Sequence, residues 1–147
     1  VDFKGVVRSI PVNKIIFNYR SIQLPKDLIF LSATFKGKEK NSEEISNYMN
    51  ELNKIKNLAQ PTKIKTGGST FKNPINQTDI KVWELIRSSV PNEVSYGDAS
   101  ISKKHANFFV NKKNAKSTDM KSLISFVKKK VKEQTGVKLE LEIVVVE

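Results

Sequence analysis

The ten residues from Lys65 to Pro74 hold the densest group of side chains that could bind and react with an anion. Two adjacent glycines, Gly67 and Gly68, precede Ser69, and lysines and an asparagine flank them. Adjacent glycines can adopt positive φ angles and let backbone N–H groups face phosphate or carboxylate oxygens. The lysines would add positive charge, and Asn73 would add directional donors. The pattern predicts a loop that holds an anionic ligand beside a hydroxyl group.

This loop fits neither of the common glycine-rich nucleotide motifs. A P-loop needs Gly, four residues and then Gly-Lys-Ser/Thr, and the dinucleotide fingerprint needs Gly-x-Gly-x-x-Gly. An ordinary glycine turn between two elements therefore remains an open alternative. The loop alone does not define a function.

The composition describes one modest globular unit. Domains usually have roughly 100 to 200 residues, and this chain has 147, of which 38% are hydrophobic. No apolar run approaches the roughly 20 residues that span a bilayer, so no membrane partner is expected. The absence of cysteine excludes disulfides, thiolate metal sites and cysteine nucleophiles, which suits a cytoplasmic location.

A formal net charge of +11 raises nucleic acid as a possible partner. However, the arginines that favour base readout and phosphate clamping are few, namely Arg8, Arg20 and Arg87. The densest lysine run, residues 128–130, lies on a predicted helix whose other face is apolar, which favours a solvated face. Nucleic acid is therefore not expected. A basic module that binds polyanions remains an alternative, and steep salt dependence would distinguish it.

The apolar spacing predicts a compact α+β fold. Strands are predicted over residues 1–10, 28–35, 94–101, 107–111 and 137–146. Helices are predicted over 41–58, over 78–88 and from Ser117 or Thr118 to a left-handed cap at Gly136. The apolar faces of these three helices comprise Ile45, Met49, Leu52 and Ile55, then Ile80, Trp83 and Ile86, then Leu123, Ile124, Val127 and Val131. Charged residues within 36–40 mark a domain boundary, so the units are predicted as 1–38 and 39–147.

Four motifs occur in a fixed order along the chain. They are Phe17-Asn18-Tyr19-Arg20-Ser21, then Gly68 to Pro74, then Lys104 to Asn111, and last Leu139-Glu140-Leu141-Glu142-Ile143. Together they resemble the C-terminal half of UDP-N-acetylenolpyruvoylglucosamine reductase, a flavoenzyme family, and the resemblance runs through essentially all 147 residues. The short span from 101 to 111 resembles the form without a tyrosine-bearing loop insertion. The resemblance implies the end of a flavin-binding domain over 1–38 and a small α+β substrate-binding domain over 39–147.

The resemblance also implies an activity. The family uses FAD and NADPH to reduce the enolpyruvyl ether of UDP-N-acetylglucosamine enolpyruvate to UDP-N-acetylmuramate, in cytoplasmic peptidoglycan synthesis. The glycine-rich segments that bind flavin in this family precede the motif that contains Arg20. Most of the FAD site is therefore expected outside these 147 residues. This chain alone is then expected to be inactive. An inactive split or degraded fragment is a second alternative.

Three catalytic roles follow from the resemblance. Ser69 matches the serine that protonates the substrate carbon, Arg20 matches the arginine that stabilises the enolate-like intermediate, and Glu142 matches the carboxylate that orients the acid. From the residues alone, Ser69 would be a loop cap, Arg20 a surface arginine, and Glu142 a residue on the solvent-exposed face of a strand. Glu140 lies two residues from Glu142 and offers the same chemistry.

The substrate-binding residues implied by the resemblance surround the serine. Asn73 matches a contact to the substrate diphosphate, with Lys72 and Gly68 as its neighbours in the motif. His105, the single histidine, and Asn107 are predicted to be structural. No metal site is expected, because His105 has no cysteine or clustered carboxylate nearby in the sequence.

Overall fold

The computed structural model describes residues 1–146 and divides the chain into two units that meet at Ser42 and Glu43. In the first unit, strand β1 (Ile16–Asn18) pairs antiparallel with strand β2 (Ser21–Gln23) to form a hairpin. Apart from a short 3-10 turn at Val12–Lys14, the remaining backbone of this unit is irregular. No apolar side chain within residues 1–42 is buried.

The strands predicted over residues 1–10 and 28–35 are wrong. Their only ladder contact within the first unit is an isolated antiparallel bridge between Asp2 and Leu28. A strand needs a hydrogen-bonded neighbour along its length, because its backbone groups have no partners within the strand itself. Apolar content alone therefore did not produce strands here.

The second unit contains three helices and an antiparallel sheet, which confirms the predicted α+β class. The sheet has the order β3 (Lys65–Ser69), β6 (Phe108–Asn111), β5 (Ala99–Ile101) and β4 (Ser95–Tyr96). The helices are α1 (Ser42–Ala59), α2 (Val82–Ser89) and α3 (Ser117–Thr135). Within residues 1–146, no helix is both long enough and apolar enough to cross a membrane.

One hydrophobic core joins α2, α3 and the sheet. Phe71 and Phe109 meet edge to face with ring centroids 5.7 Å apart. The four α3 residues predicted to face inward are all buried, and Gly136 ends the helix with φ +74°, as the sequence predicted. The other large members of the core are Val82, Leu85, Ile86, Val90, Val137 and Leu139.

Other boundaries in the second unit differ from the sequence expectation. α2 begins at Val82 rather than residue 78, because Gln77 and Thr78 donate to the Pro74 carbonyl in a turn, and Ile80 is consequently exposed. The predicted strand over 94–101 is instead the β4–β5 hairpin.

Two segments on either side of the core were also predicted wrongly, residues 65–69 and residues 137–146. Residues 65–69, predicted as a loop, form β3. Residues 137–146, predicted as a strand, form no strand within the described part of the chain: their ladder pairing is limited to the isolated bridge between Phe71 and Leu141, with one backbone hydrogen bond on either side of it.

Candidate functional site

The glycine pair forms a β-bulge directly before Ser69. Thr66 pairs with Val110 on β6, and Ser69 pairs with Phe108, so β3 carries one residue more than its neighbour. Gly68 takes this extra length in a left-handed conformation with φ +88°. Bulges bend a strand and redirect the side chain that follows. The sequence thus positions Ser69 through local backbone shape.

The hydroxyl group of Thr66 fixes this bulge. Its Oγ1 donates to the Phe109 carbonyl at 2.7 Å and accepts from the Gly68 N–H at 3.2 Å. One side chain therefore joins the bulge to the neighbouring strand. Sequence reasoning did not single out Thr66, although a hydroxyl immediately before a glycine pair is the signal that could have identified it.

The three residues after Ser69 are clamped on both sides. Asn107, which is buried, accepts from the Phe71 N–H through Oδ1 at 2.9 Å and donates from Nδ2 to the Phe71 carbonyl at 2.8 Å. On the other side, the Lys72 N–H donates to the Glu140 carbonyl at 2.9 Å. These bonds agree with the structural role predicted for Asn107.

The expected cradle of successive backbone amides is not formed. The N–H groups of residues 68, 70, 71 and 72 all donate to acceptors within the fold, which are Thr66, Asn107 and Glu140. The reason is that the glycine pair belongs to a strand, where neighbouring segments take the backbone donors. These four N–H groups are therefore occupied within the fold, and Gly68 shapes the backbone.

The structure brings Ser69 and Glu142 to neighbouring positions of paired segments. The Glu142 N–H donates to the carbonyl of Thr70, the residue after Ser69, at 2.9 Å. Ser69 and Glu142 are both half-buried, whereas Glu140 is exposed and its Oε2 lies 3.9 Å from the Lys72 ammonium. The degree of burial therefore distinguishes Glu142 from Glu140, whereas the sequence alone could not distinguish them.

Asn73 has a role in the fold. Its Oδ1 accepts from the Val82 N–H at 3.0 Å, at the N-terminus of α2, where the adjacent residue Lys81 provides no side-chain cap. The first N–H groups of a helix have no partner within the helix, so such an acceptor stabilises the helix start. Asn73 thus links the segment after Ser69 to α2.

Arg20 belongs to the first unit, at the tip of the β1–β2 hairpin. It is the one non-glycine residue within 1–146 with a positive φ, +56°. Its guanidinium lies 5.7 Å from the ring centroid of Tyr19. A left-handed conformation costs a residue with a side chain about 1–2 kcal/mol, and such strain is concentrated at functional positions.

Residues 60–146 match the family model for the C-terminal domain of UDP-N-acetylenolpyruvoylglucosamine reductase. The chain belongs to this family. The reductase of Pelagibacter ubique (strain HTCC1062) is 62% identical over 143 residues, and that of Rickettsia bellii (strain RML369-C) is 45% identical over 143 residues. The crystal structure of the Thermus caldophilus reductase (MurB) has a TM-score of 0.70 at 34% identity and covers 88% of this chain.

These relatives of the reductase family are about twice as long as this chain. The match covers 97% of this chain but 47% of the Pelagibacter reductase and 46% of the Rickettsia one. It covers 45% of the Thermus chain. The family resemblance predicted from the four motifs is therefore confirmed, and the chain spans about half the length of its curated relatives.

An aromatic cluster surrounds His105, which the reductase resemblance assigned a structural role. The imidazole packs edge to face against Phe108, with centroids 4.9 Å apart, and lies 6.4 Å from Trp83. The guanidinium of Arg87 lies 5.3 Å from the Trp83 ring centroid. Burial first, and then the nearby Arg87 charge, lower the pKa of His105. The contacts fit a packing role.

Two further surface features contain none of the residues predicted to be catalytic or substrate-binding. In the lysine run of α3, Lys129 and Lys130 lie 3.8 and 3.1 Å from Glu133, on the solvated side of the helix. An open groove of about 870 Å³ contains none of the predicted site residues. Its lining residues are Asn57, Pro61, Thr62, Lys63, Ile64, Ser102, Lys103 and Lys104.

Proposed function

We propose that this chain is the C-terminal part of an FAD- and NADPH-dependent reductase. The complete enzyme converts UDP-N-acetylglucosamine enolpyruvate to UDP-N-acetylmuramate in cytoplasmic peptidoglycan synthesis. Residues 1–38 would end the flavin-binding domain, and residues 39–147 would bind the substrate. Family membership supports this proposal, and the bulge that redirects Ser69 beside the Glu142 segment is the structural observation that carries it.

The reaction adds a hydride and a proton across the carbon–carbon double bond of the enolpyruvyl ether. When bound, the flavin supplies the hydride, and NADPH supplies the electrons that reduce it. We assign no individual residue of this chain to the flavin, and we propose that most of its site lies in the half of the relatives that this chain does not cover. Hydride addition to one carbon leaves negative charge delocalised into the substrate carboxylate, so the other carbon must receive a proton.

Ser69 is the proposed proton donor. A serine hydroxyl is a poor acid in water, so its effectiveness depends on fixed geometry and on charge stabilisation around it. The bulge at Gly68 and the Thr66 bonds provide the fixed geometry. Proton transfer from a positioned group typically contributes a factor of about 10²–10⁴ in rate.

Arg20 and Glu142 would handle the charges on the substrate. A guanidinium presents two parallel N–H donors to a carboxylate, which suits the negative charge that develops there. The strained conformation of Arg20 supports a functional position. Glu142 would orient the Ser69 hydroxyl group, the role that the family resemblance implies, and the bond from its N–H to the Thr70 carbonyl holds its segment beside that of Ser69.

Asn73 and Lys72 would bind the substrate diphosphate. The Asn73 Oδ1 is engaged by the Val82 N–H, so the proposed donor to the diphosphate is the Asn73 amide nitrogen. The Lys72 side chain adds a positive charge that is only weakly compensated by Glu140 at 3.9 Å.

The test is a chimera in which this chain replaces the matching half of the Pelagibacter ubique reductase. In Ser69→Ala, flavin reduction by NADPH should proceed normally, whereas flavin reoxidation by the substrate should slow by about 10²–10⁴. Rapid-mixing absorbance measures each half-reaction separately. Ser125→Ala, which alters an exposed serine of α3, is the matched control. Equal loss of both half-reactions in Ser69→Ala would contradict the proposed role.

A further inference from the structure

In a regular β3 strand, the Ser69 side chain would point into the hydrophobic core. Successive side chains of a strand point to opposite faces, so Thr66 and Ser69, three positions apart, would lie on opposite faces. Thr66 pairs with Val110 on β6. An unbroken ladder from that pair would bring Ser69 opposite residue 107 and onto the face of Phe109, whose ring belongs to the core.

The bulge reverses this orientation. Ser69 lies opposite Phe108, and directly opposed residues of paired strands share a face. Phe108 in turn shares its face with Val110, because the two are separated by two positions along β6. Ser69 therefore lies on the same face of the sheet as Thr66, away from the face of Phe109, and it is half-buried there.

The hydroxyl group of Thr66 holds the bulge at both of its sides. Its Oγ1 donates to the Phe109 carbonyl on β6 at 2.7 Å and accepts from the Gly68 N–H inside the bulge at 3.2 Å. Without this hydroxyl, the Gly68 N–H would lose its acceptor, which is costly for a partly buried group. Strand register is weakly specified in glycine-rich strands, so the unbulged pairing would then compete.

We propose that Thr66 is a positioning residue for the protonation step, whose hydroxyl group keeps Ser69 on the face away from the core. The inference rests on the proposed function, in which Ser69 donates the proton. Thr66 acts through the orientation of Ser69 and makes no contact with the substrate. Because a misplacement of about 1 Å can cost roughly 100-fold in rate, loss of this hydroxyl should slow proton transfer by about 10- to 100-fold.

Two substitutions of Thr66 in the chimera with the Pelagibacter N-terminal half test the proposal. Thr66→Val removes the hydroxyl and keeps the branched shape, and flavin reoxidation by the substrate should slow about 10- to 100-fold. Thr66→Ser keeps the hydroxyl, and reoxidation should recover to within about threefold. Flavin reduction by NADPH, and the substrate Kd measured by calorimetry, should stay within about twofold in both variants.

The control for a general loss of stability is Ile124→Val, which removes one methylene group from the buried core. Ile124→Val should leave both half-reactions unchanged. Normal reoxidation in Thr66→Val would overturn the proposal. A Thr66→Ser variant as slow as Thr66→Val would also overturn it, because the hydroxyl group would then not be the decisive feature.

The double variant Ser69→Ala/Thr66→Val tests whether Thr66 acts through Ser69. If it does, adding Thr66→Val to Ser69→Ala should slow reoxidation by less than about twofold, since the positioned group is already absent. A further slowing as large as that of Thr66→Val alone would show an independent effect and overturn the proposal.

A measurement on this chain alone needs neither substrate nor flavin. The Thr70 N–H donates to the Asn107 carbonyl at 2.8 Å, which makes Ser69 and Phe108 a non-hydrogen-bonded pair. The Cα atoms of such a pair are about 4.5 Å apart, so their Hα atoms should give a strong nuclear Overhauser effect. This signal should persist in Thr66→Ser and weaken in Thr66→Val. An equally strong signal in Thr66→Val would contradict the proposed role.

Failure of the proposed function would look different. Unchanged reoxidation in Ser69→Ala would refute Ser69 as the proton donor, whereas a weakened Ser69–Phe108 signal in Thr66→Val would still show that Thr66 sets the face of Ser69. Slow reoxidation in Ser69→Ala together with a normal rate in Thr66→Val would refute only the role of Thr66.

Discussion

The first 59 residues and the residues that follow use apolar side chains in opposite ways. Between residues 1 and 59, none of the large apolar side chains is buried, although the segment contains an amphipathic helix and several phenylalanines. Between residues 60 and 146, α2, α3 and the sheet enclose a core that includes Phe71, Ile86 and Leu123. The comparison shows that a pattern of apolar residues defines an apolar face on a helix or strand. That face is buried only where another element packs against it.

The largest expected effect is a difference in stability between two leucine-to-alanine substitutions, one in each region. Leu123 is fully buried, and Leu52 is 46% exposed. Leu123→Ala should lower the free energy of unfolding by about 2–5 kcal/mol, since it removes packed methyl groups and leaves a cavity. Leu52→Ala should change it by less than about 0.5 kcal/mol, as for other exposed positions.

Urea unfolding followed by the fluorescence of Trp83, the single tryptophan, measures both variants. Trp83 packs against the core of the second unit, so its signal reports on that region. Similar losses in Leu123→Ala and Leu52→Ala would break the distinction between the two regions.

The next effect tests whether the core holds the bulge in a strained shape. Gly68→Ala should lower the free energy of unfolding by about 1–2 kcal/mol, because φ is +88° and a side chain is disfavoured there. Gly67→Ala is the control, since its added Cβ would meet Ile143 at an ordinary 3.6 Å and φ is not positive. Thermal unfolding of the two variants gives the comparison. A larger loss in Gly67→Ala would show that the bulge is not the constrained feature.

A smaller effect on stability distinguishes the role of Asn73 in the fold from its proposed role in ligand binding. Asn73→Ala should cost about 1 kcal/mol by removing the acceptor for the Val82 N–H. Asn73→Asp keeps that acceptor and adds a negative charge at a helix N-terminus, so stability should be retained.

Substrate binding should respond differently in these variants. The carboxylate of Asn73→Asp would repel the diphosphate, and affinity measured by calorimetry on the chimera should fall about tenfold or more. Unchanged affinity in Asn73→Asp would remove Asn73 from the proposed binding site.

The smallest effect is a pH dependence confined to the core-bearing region. Because burial and Arg87 lower the pKa of His105, the folded protein favours the neutral imidazole. The unfolded chain, in which the histidine has a pKa of about 6.5, then binds more protons as the pH falls, so the stability is complete above that pH and declines below it. Urea unfolding between about pH 7.5 and 5.5 should show this decline, and His105→Gln should flatten it. An equal slope in His105→Gln would assign the decline to other groups.

Local signals were sufficient wherever a few neighbouring residues decide the structure. The apolar spacing of α3 and its glycine cap predicted the helix and its buried face. The limits of α1 were predicted to within about one residue at each end, consistent with the usual uncertainty of helix ends. The four ordered motifs identified the family.

Local signals failed where pairing partners are distant in the chain. Phe71 is bonded to Asn107, 36 residues away, and bridges to Leu141. The segment from 65 to 69 became a strand because β6 lies beside it, although its glycines favour a turn. Residues 1–10 and 28–35 have strand-like composition, but they meet only at the isolated bridge between Asp2 and Leu28 and form no continuous ladder.

By itself, the sequence determined the family, the α+β class, the limits of α1 and α3, and the identity of the residues proposed for chemistry. These depend on residue type and on spacing over one or two helical turns. Only the tertiary structure decided that Gly68 forms a bulge, that Asn73 caps α2, and that the Glu142 backbone meets the segment after Ser69. Each of these contacts joins segments that are separated along the chain, and packing of the core selects which segments meet.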